Sequence, residues 1–100
     1  MSGSYVLRLE YHVRLHVEFT TSRREVISYA VILTMQDELG VHTIRVYDAA
    51  HGFNELHRHT RSGGKRAGEV FHHGTLGEGL RAAISMCEHG YERMIEGWNR

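Results

Sequence analysis

The sequence predicts an α+β fold: an antiparallel sheet of three or four strands, the first of them long, covered on one face by a C-terminal helix. Two periodicities carry this expectation. Apolar and polar residues alternate through the first fifth of the chain, and from Gly74 onward apolar residues recur at spacings of three and four. Strands first and a helix last, without strand–helix alternation, is the order of an antiparallel sheet with a helix laid on it. One hundred residues, 41% of them apolar, fill a single core, so residues 1–100 are expected to form one domain.

Tyr5, Leu7, Leu9, Tyr11, Val13, Leu15, Val17 and Phe19 hold the odd positions, while Arg8, Glu10, His12, Arg14, His16, Glu18 and Thr20 hold the even ones. A period of two over fifteen residues predicts one long strand with a buried and a wet face. Polar residues from Thr20 to Glu25 then make a turn. Val26 to Met35 reads as a second, central strand whose inward set is Ile27, Tyr29, Val31, Leu33 and Met35. Asp37 to Gly40 is a hairpin connection into Val41–Tyr47, and Glu55 to Thr60 adds a short fourth strand. In the last quarter, Leu76, Leu80, Ile84, Cys87, Tyr91, Met94 and Trp98 form one helical stripe. Thr75 and Glu78 have the spacing of a capping box, which starts the helix near Leu76. Gly77, Gly79 and Gly90 each cost about 1 kcal/mol relative to Ala, so the helix needs a sheet beneath it, and Gly90 is a point where it would kink or break.

Twelve basic and twelve acidic residues cancel, which removes the global positive field of a protein that coats nucleic acid; only His57 to Arg66 is locally basic. A single cysteine excludes an internal disulfide framework, and no apolar run approaches the roughly 20 residues that cross a bilayer. The expected setting is a reducing cytoplasm, with no membrane association. Tyr5, Tyr11, Tyr29, Phe19 and Trp98 read as core; Tyr47 is the aromatic free to meet a ligand. Cys87, inside the helix stripe, reads as an inert thiol.

Chemistry concentrates between Tyr47 and His59. This stretch holds Asp48, three imidazoles (His51, His57, His59) and Arg58, and the basic segment Arg61-Ser-Gly-Gly-Lys65-Arg66 follows directly. Imidazole titrates near neutral pH, ligates metals and shuttles protons. Three readings fit the residues. His51, His57 and His59, with a carboxylate, supply the donor types of a zinc or other first-row metal site, although no zinc-finger or His-Glu-x-x-His spacing is present. Without a cofactor, Asp48 and the imidazoles supply a general acid and base, with Arg58, Arg61 or Lys65 to hold a phosphate, which is all that metal-independent RNA cleavage requires. The bland alternative is a turn at Asp48 to Gly52 followed by a wet edge strand carrying His57 and His59. Ser62 to Arg66 lacks the P-loop pattern and is expected to be a flexible loop. His12 and His16 are expected to be solvated strand residues.

Arg45-Val-Tyr47-Asp48-Ala-Ala-His51-Gly52, followed by Leu56-His57-Arg58-His59, resembles the segment shared by the TumE family of small toxin–antitoxin proteins. The resemblance covers Arg45 to Thr60 and the general order of strands before a terminal helix. Ala49 stands where that family usually has asparagine, and the stretch from Arg61 to His73 is not typical of it. The resemblance implies a toxin component acting on RNA, with Asp48, His51, His57 and His59 as catalytic residues. It places Arg45 and Tyr47 beside them and implies an antitoxin as protein partner; from the residues themselves, binding roles are expected for Arg45, Tyr47, Arg58, Arg61, Lys65 and Arg66. The two other functions carried forward are a non-catalytic interaction module of bacterial or phage origin, for which a homodimer is conceivable, and a histidine-rich metal-binding domain.

Overall fold

A computed structural model describes residues 1–100. Seven strands and one helix follow in chain order: β1 (Ser2–Glu10), β2 (Val13–Ser22), β3 (Glu25–Asp37), β4 (Gly40–Asp48), β5 (Asn54–Thr60), β6 (Gly64–Lys65), β7 (Glu69–His72) and α1 (Leu76–Asn99). The sheet is antiparallel throughout, in the order β1-β2-β3-β4-β5-β6, and β7 also pairs with β5. The α+β class and the covering helix are as the sequence predicts. The strand count is not: there are seven strands where three or four were expected.

The first correction concerns the long strand. Residues 2–22 form a hairpin that turns at Tyr11-His12, with Tyr5 opposite Val17 and Leu7 opposite Leu15. From Ser2 to Arg8 the partners' numbers sum to 22, so odd residues face odd residues; the two-residue turn, closed by Glu10 opposite Val13, would by itself reverse the phase, and a bulge between Arg8 and Glu10 restores it. Periodicity therefore does not distinguish one straight strand from this hairpin. Tyr11, expected in the core, sits at the turn 81% exposed, with the Arg8 guanidinium over its ring. The next hairpin turns at Arg23-Arg24, whose positive φ values of 51° and 67° are those a type I′ turn needs at both central residues.

In β3, Tyr29, Val31, Leu33 and Met35 are buried as expected, but Ile27 is half exposed. A bulge in the β2–β3 ladder at Thr20/Thr21 shifts the register just where Ile27 would have turned inward. These residues, with Val13, Leu15 and Val17 of β2 and Ile44 and Tyr47 of β4, make the sheet side of the core. Leu80, Ala83, Cys87, Met94 and Trp98 make the helix side. The capping box is formed as predicted: Thr75 Oγ1 accepts from the Glu78 amide, and Glu78 accepts from the Thr75 amide. The helix runs unbroken through Gly90.

The second correction concerns β5. It is an interior strand, flanked by β4 on one side and by β7 and β6 on the other. Ser62 to Arg66, expected as a flexible loop, closes the tight β5–β6 hairpin, where Thr60 Oγ1 accepts from the Gly63 amide. Asn54, at the start of β5, is 1% exposed and ties this strand to the beginning of α1. Its Oδ1 accepts from the Tyr29 hydroxyl at 2.7 Å, and its Nδ2 faces the carbonyls of His72, Gly74 and Thr75 at 3.1 to 3.3 Å. Gly79 makes this possible, because a Cβ there would land on the Asn54 amide.

Candidate functional site

Alternation along β4 and β5 divides the sequence-predicted residues between two faces. Tyr47 and Leu56 point to the helix, whereas Asp48, Glu55 and His57 point to the opposite face. Register sets Asp48 directly opposite Glu55, with Ala30 and then Glu18 beyond Asp48 in the same row. Two carboxylates facing each other across a ladder repel unless a cation lies between or beside them.

Two imidazoles converge on Glu55. His51 Nδ1 lies 2.8 Å from Glu55 Oε1, and His57 Nε2 lies 3.2 Å from the same oxygen. One donor atom from each of Asp48, Glu55 and His57 falls within 4.8 Å of the others. Glu55 and His57 are buried, while His51 is exposed. The hydrogen bond from His51, reinforced by that from His57, holds the Glu55 carboxyl below the usual glutamate range against the opposing effect of burial. Asp48 Oδ1 accepts from the Ala50 amide, forming the turn that brings His51 back toward the strand.

The other ring nitrogen of His57 decides how the site reads. Nδ1 lies 3.4 Å from the Arg66 carbonyl, and since a carbonyl only accepts, Nδ1 carries the proton of that bond. A neutral His57 then turns the bare lone pair of Nε2 toward the Glu55 carboxylate. A proton on Nε2, or a metal ion in its place, satisfies that contact. A backbone carbonyl on the far nitrogen is also the usual support of a metal-bound histidine. The segment between β6 and β7 seals the site, for a Cβ on Gly68 would sit 2.6 Å from His57 Cε1 and closer still to Glu55.

Sequence reasoning placed Asp48, His51 and His57 together, and the structure brings them together. It did not single out Glu55, the residue on which both histidines close. A signal existed: Glu55 and His57 are alternate residues of one strand, and His51 lies four residues before Glu55. His59 is not among the converging atoms. It sits at the far end of β5, where burial first, then Lys65 and His57, lowers its pKa, and its Nε2 is buried without a partner.

The expected binding residues lie elsewhere. Tyr47 is fully buried, its ring edge-on to Phe71, and it presents no free face to a ligand. Arg45 donates to the Tyr47 hydroxyl at 3.3 Å, and Arg58 pairs with Glu69. Arg61 packs on Trp98 and binds Asn99 and Asp37 at the end of the helix. Lys65 and Arg66 are exposed in and beside the β5–β6 hairpin. Of the remaining histidines, His16 bonds Thr34, and His42 bonds Asp37 at 2.8 Å. No helix is long and apolar enough to cross a membrane.

Fold and cluster together define an α+β domain with a carboxylate–imidazole cluster on the sheet face opposite its single helix. A family model matches residues 1–100 in full, and the chain belongs to that family, DUF7718, a domain of unknown function. Comparison with curated proteins and with solved structures finds no match.

Proposed function

We propose that this domain binds a divalent first-row cation, zinc above others, through Asp48, Glu55 and His57, with exposed His51 bordering the open side. The carrying observation is the orientation of His57, anchored through Nδ1 to the Arg66 carbonyl with Nε2 facing a buried, ionised Glu55 and Asp48 within 4.8 Å. Carboxylate oxygen and imidazole nitrogen are the donor types zinc takes, and three protein ligands with one open side is the composition of hydrolytic rather than structural sites. A cation held there would acidify a bound water, giving the site a nucleophile at neutral pH. Asp48, the least buried of the three donors, is the residue placed to orient that water; His57 and Glu55 fix the cation from beneath.

The test is metal analysis of protein stripped with chelator and then titrated with zinc by calorimetry. One ion per wild-type chain is expected, with loss of at least 100-fold in affinity for Glu55→Gln and for His57→Gln. Failure of the stripped, folded protein to take up any stoichiometric ion would leave His57 and Glu55 as parts of a structural hydrogen-bond network and end the proposal.

A second reading is favoured by the convergence of Asp48, His51 and His57, three of the four residues that the TumE resemblance implies are catalytic. In this reading the site acts on RNA, and expression of the domain arrests bacterial growth. Induced expression of wild type beside Glu55→Gln, both checked for folding and abundance, separates the two levels. Arrest by wild type alone supports a toxin working through this cluster, and harmless expression of both removes it.

A further inference from the structure

Three arginines from three separate places in the chain line one cavity on the helix side of the sheet. Arg45 reaches it from β4, Arg58 from β5 and Arg66 from the segment after β6. Met94 and Trp98 of α1 form the apolar wall, and the volume is about 370 Å³, inside the roughly 300–1,000 Å³ span of small-molecule pockets. Only Arg58 has a carboxylate partner, Glu69. Arg45 has the neutral Tyr47 hydroxyl at 3.3 Å, and Arg66 has no side-chain partner at all. His59 and Thr60 of β5 border the same cavity. Guanidiniums gathered without counter-charge repel one another, and their arrangement is stabilised by an anion that accepts from several at once.

We propose that this cavity is a phosphate-binding site, holding the phosphate group of a small molecule between Arg45 and Arg66, with Trp98 as the wall. It is separate from the Asp48–Glu55–His57 cluster, which opens on the opposite face of the sheet. The two are joined through one residue: Arg66 holds His57 with its carbonyl and lines the phosphate cavity with its side chain. A guanidinium pair offers a tetrahedral oxyanion bidentate bonds that lysine cannot reproduce, so phosphate should be preferred over chloride at equal ionic strength.

Trp98 is the only tryptophan and lines this cavity, so its fluorescence responds to binding there. Inorganic phosphate, pyrophosphate and a nucleoside 5′-monophosphate are titrated into the full chain in the presence of chelator, with sodium chloride as the ionic-strength control. A saturable change is expected with at least one of the three and none with chloride. Arg66→Gln, at an exposed position, should weaken binding about 10-fold while the protein stays folded. Arg45→Gln should do the same, and Arg81→Gln on the outer side of the helix should change nothing. Equal affinity for inorganic phosphate and the nucleotide identifies the phosphate alone as ligand; much tighter nucleotide binding assigns the rest of the cavity to sugar and base. No saturable response to any of the three, or an unaltered response in folded Arg66→Gln, overturns the proposal.

Discussion

Replacing Gly79 with alanine should destabilise this protein, although the same change in an ordinary helix interior stabilises. Alanine gains about 1 kcal/mol of helix propensity over glycine. At residue 79 the new methyl would occupy the space of the Asn54 amide, which is buried and belongs to a strand that pairs on both sides, so the amide must rotate away while the backbone stays. The Tyr29 hydroxyl then loses its 2.7 Å acceptor inside the core, at a cost of about 1–3 kcal/mol for a buried donor left unmade. The amide also loses its bonds to the carbonyls of His72 and Gly74, worth about 1 kcal/mol more; the Thr75 carbonyl keeps the Gly79 amide as partner. Set against the propensity gain, the net is a loss of about 2 kcal/mol, or a fall in Tm of about 10 °C for a domain of this size. Gly90→Ala is the internal control. Its Cβ would meet nothing nearer than Met94 Cε at 3.5 Å, so propensity alone acts and stability should rise by about 0.5–1 kcal/mol. Urea unfolding followed by Trp98 fluorescence and by helical circular dichroism measures both. A Gly79→Ala protein as stable as wild type, or more so, would refute the role given to Asn54. Adding Asn54→Ala to it should cost much less than Asn54→Ala does in wild type, since the amide is already displaced.

Three further outcomes follow from the site and the core. Gly68→Ala pushes a methyl against Glu55 and His57, so it should lower zinc affinity by about 10–100-fold, the usual effect of disturbing what supports metal ligands, with little change in the far-ultraviolet spectrum; unchanged affinity would contradict the seal. His59 has a pKa lowered in the folded state, chiefly by burial, so the native protein favours its neutral form. The associated stability is complete above the unfolded value of about 6.5 and is lost as pH falls from there through the lowered native value. The urea midpoint of His59→Gln should therefore fall less than that of wild type between pH 7.5 and 5.5, and parallel curves would show the assignment wrong. Cys87 is wholly buried and its thiol is pushed up to about 12, first by burial, so a thiol reagent at pH 8 should leave the native protein unmodified and react fully in urea; prompt labelling of the native state would place Cys87 outside the core.

The helix was legible because two independent signals coincide there, the apolar stripe and the Thr75–Glu78 box; only the kink or break expected at Gly90 is absent, since the sheet beneath supports the helix along its length. The sheet was legible in face but not in connectivity. Val13, Leu15, Val17, Val31 and Leu33 were assigned correctly to the core, since parity alone decides the face of a strand. Parity is preserved across the first hairpin because the bulge between Arg8 and Glu10 offsets the two-residue turn at Tyr11-His12, so nothing in the periodicity marked where β1 ends. The short strands β6 and β7 carry no pattern of their own. Val70 and Phe71 became a strand because β5 offers an edge between Asn54 and Leu56, a tertiary reason that no local window contains.

The cluster was legible in its histidines and illegible at its centre, and the difference has a physical origin. Clustered imidazoles stand out in a composition, whereas a single glutamate among twelve acidic residues does not. Glu55 becomes distinctive only when β7 covers β5 and removes water from its carboxylate, leaving His51 and His57 as the groups that hold it ionised. Burial of an ionised group is costly unless its charge is met, so a folded chain that buries Glu55 must keep cations beside it. His51 on the exposed turn can leave; His57, fastened through Arg66, cannot follow it. A metal ion that replaced His51 against Glu55 would therefore have one fixed imidazole, one fixed carboxylate and the Asp48 carboxylate of the neighbouring strand to hold it. That asymmetry predicts that His51→Ala weakens zinc binding far less than His57→Ala, and calorimetric titration of the two variants side by side would decide it. Equal losses would mean that both imidazoles are ligands of one rigid site, and a larger loss for His51 would mean that the cation enters from the turn and never reaches His57.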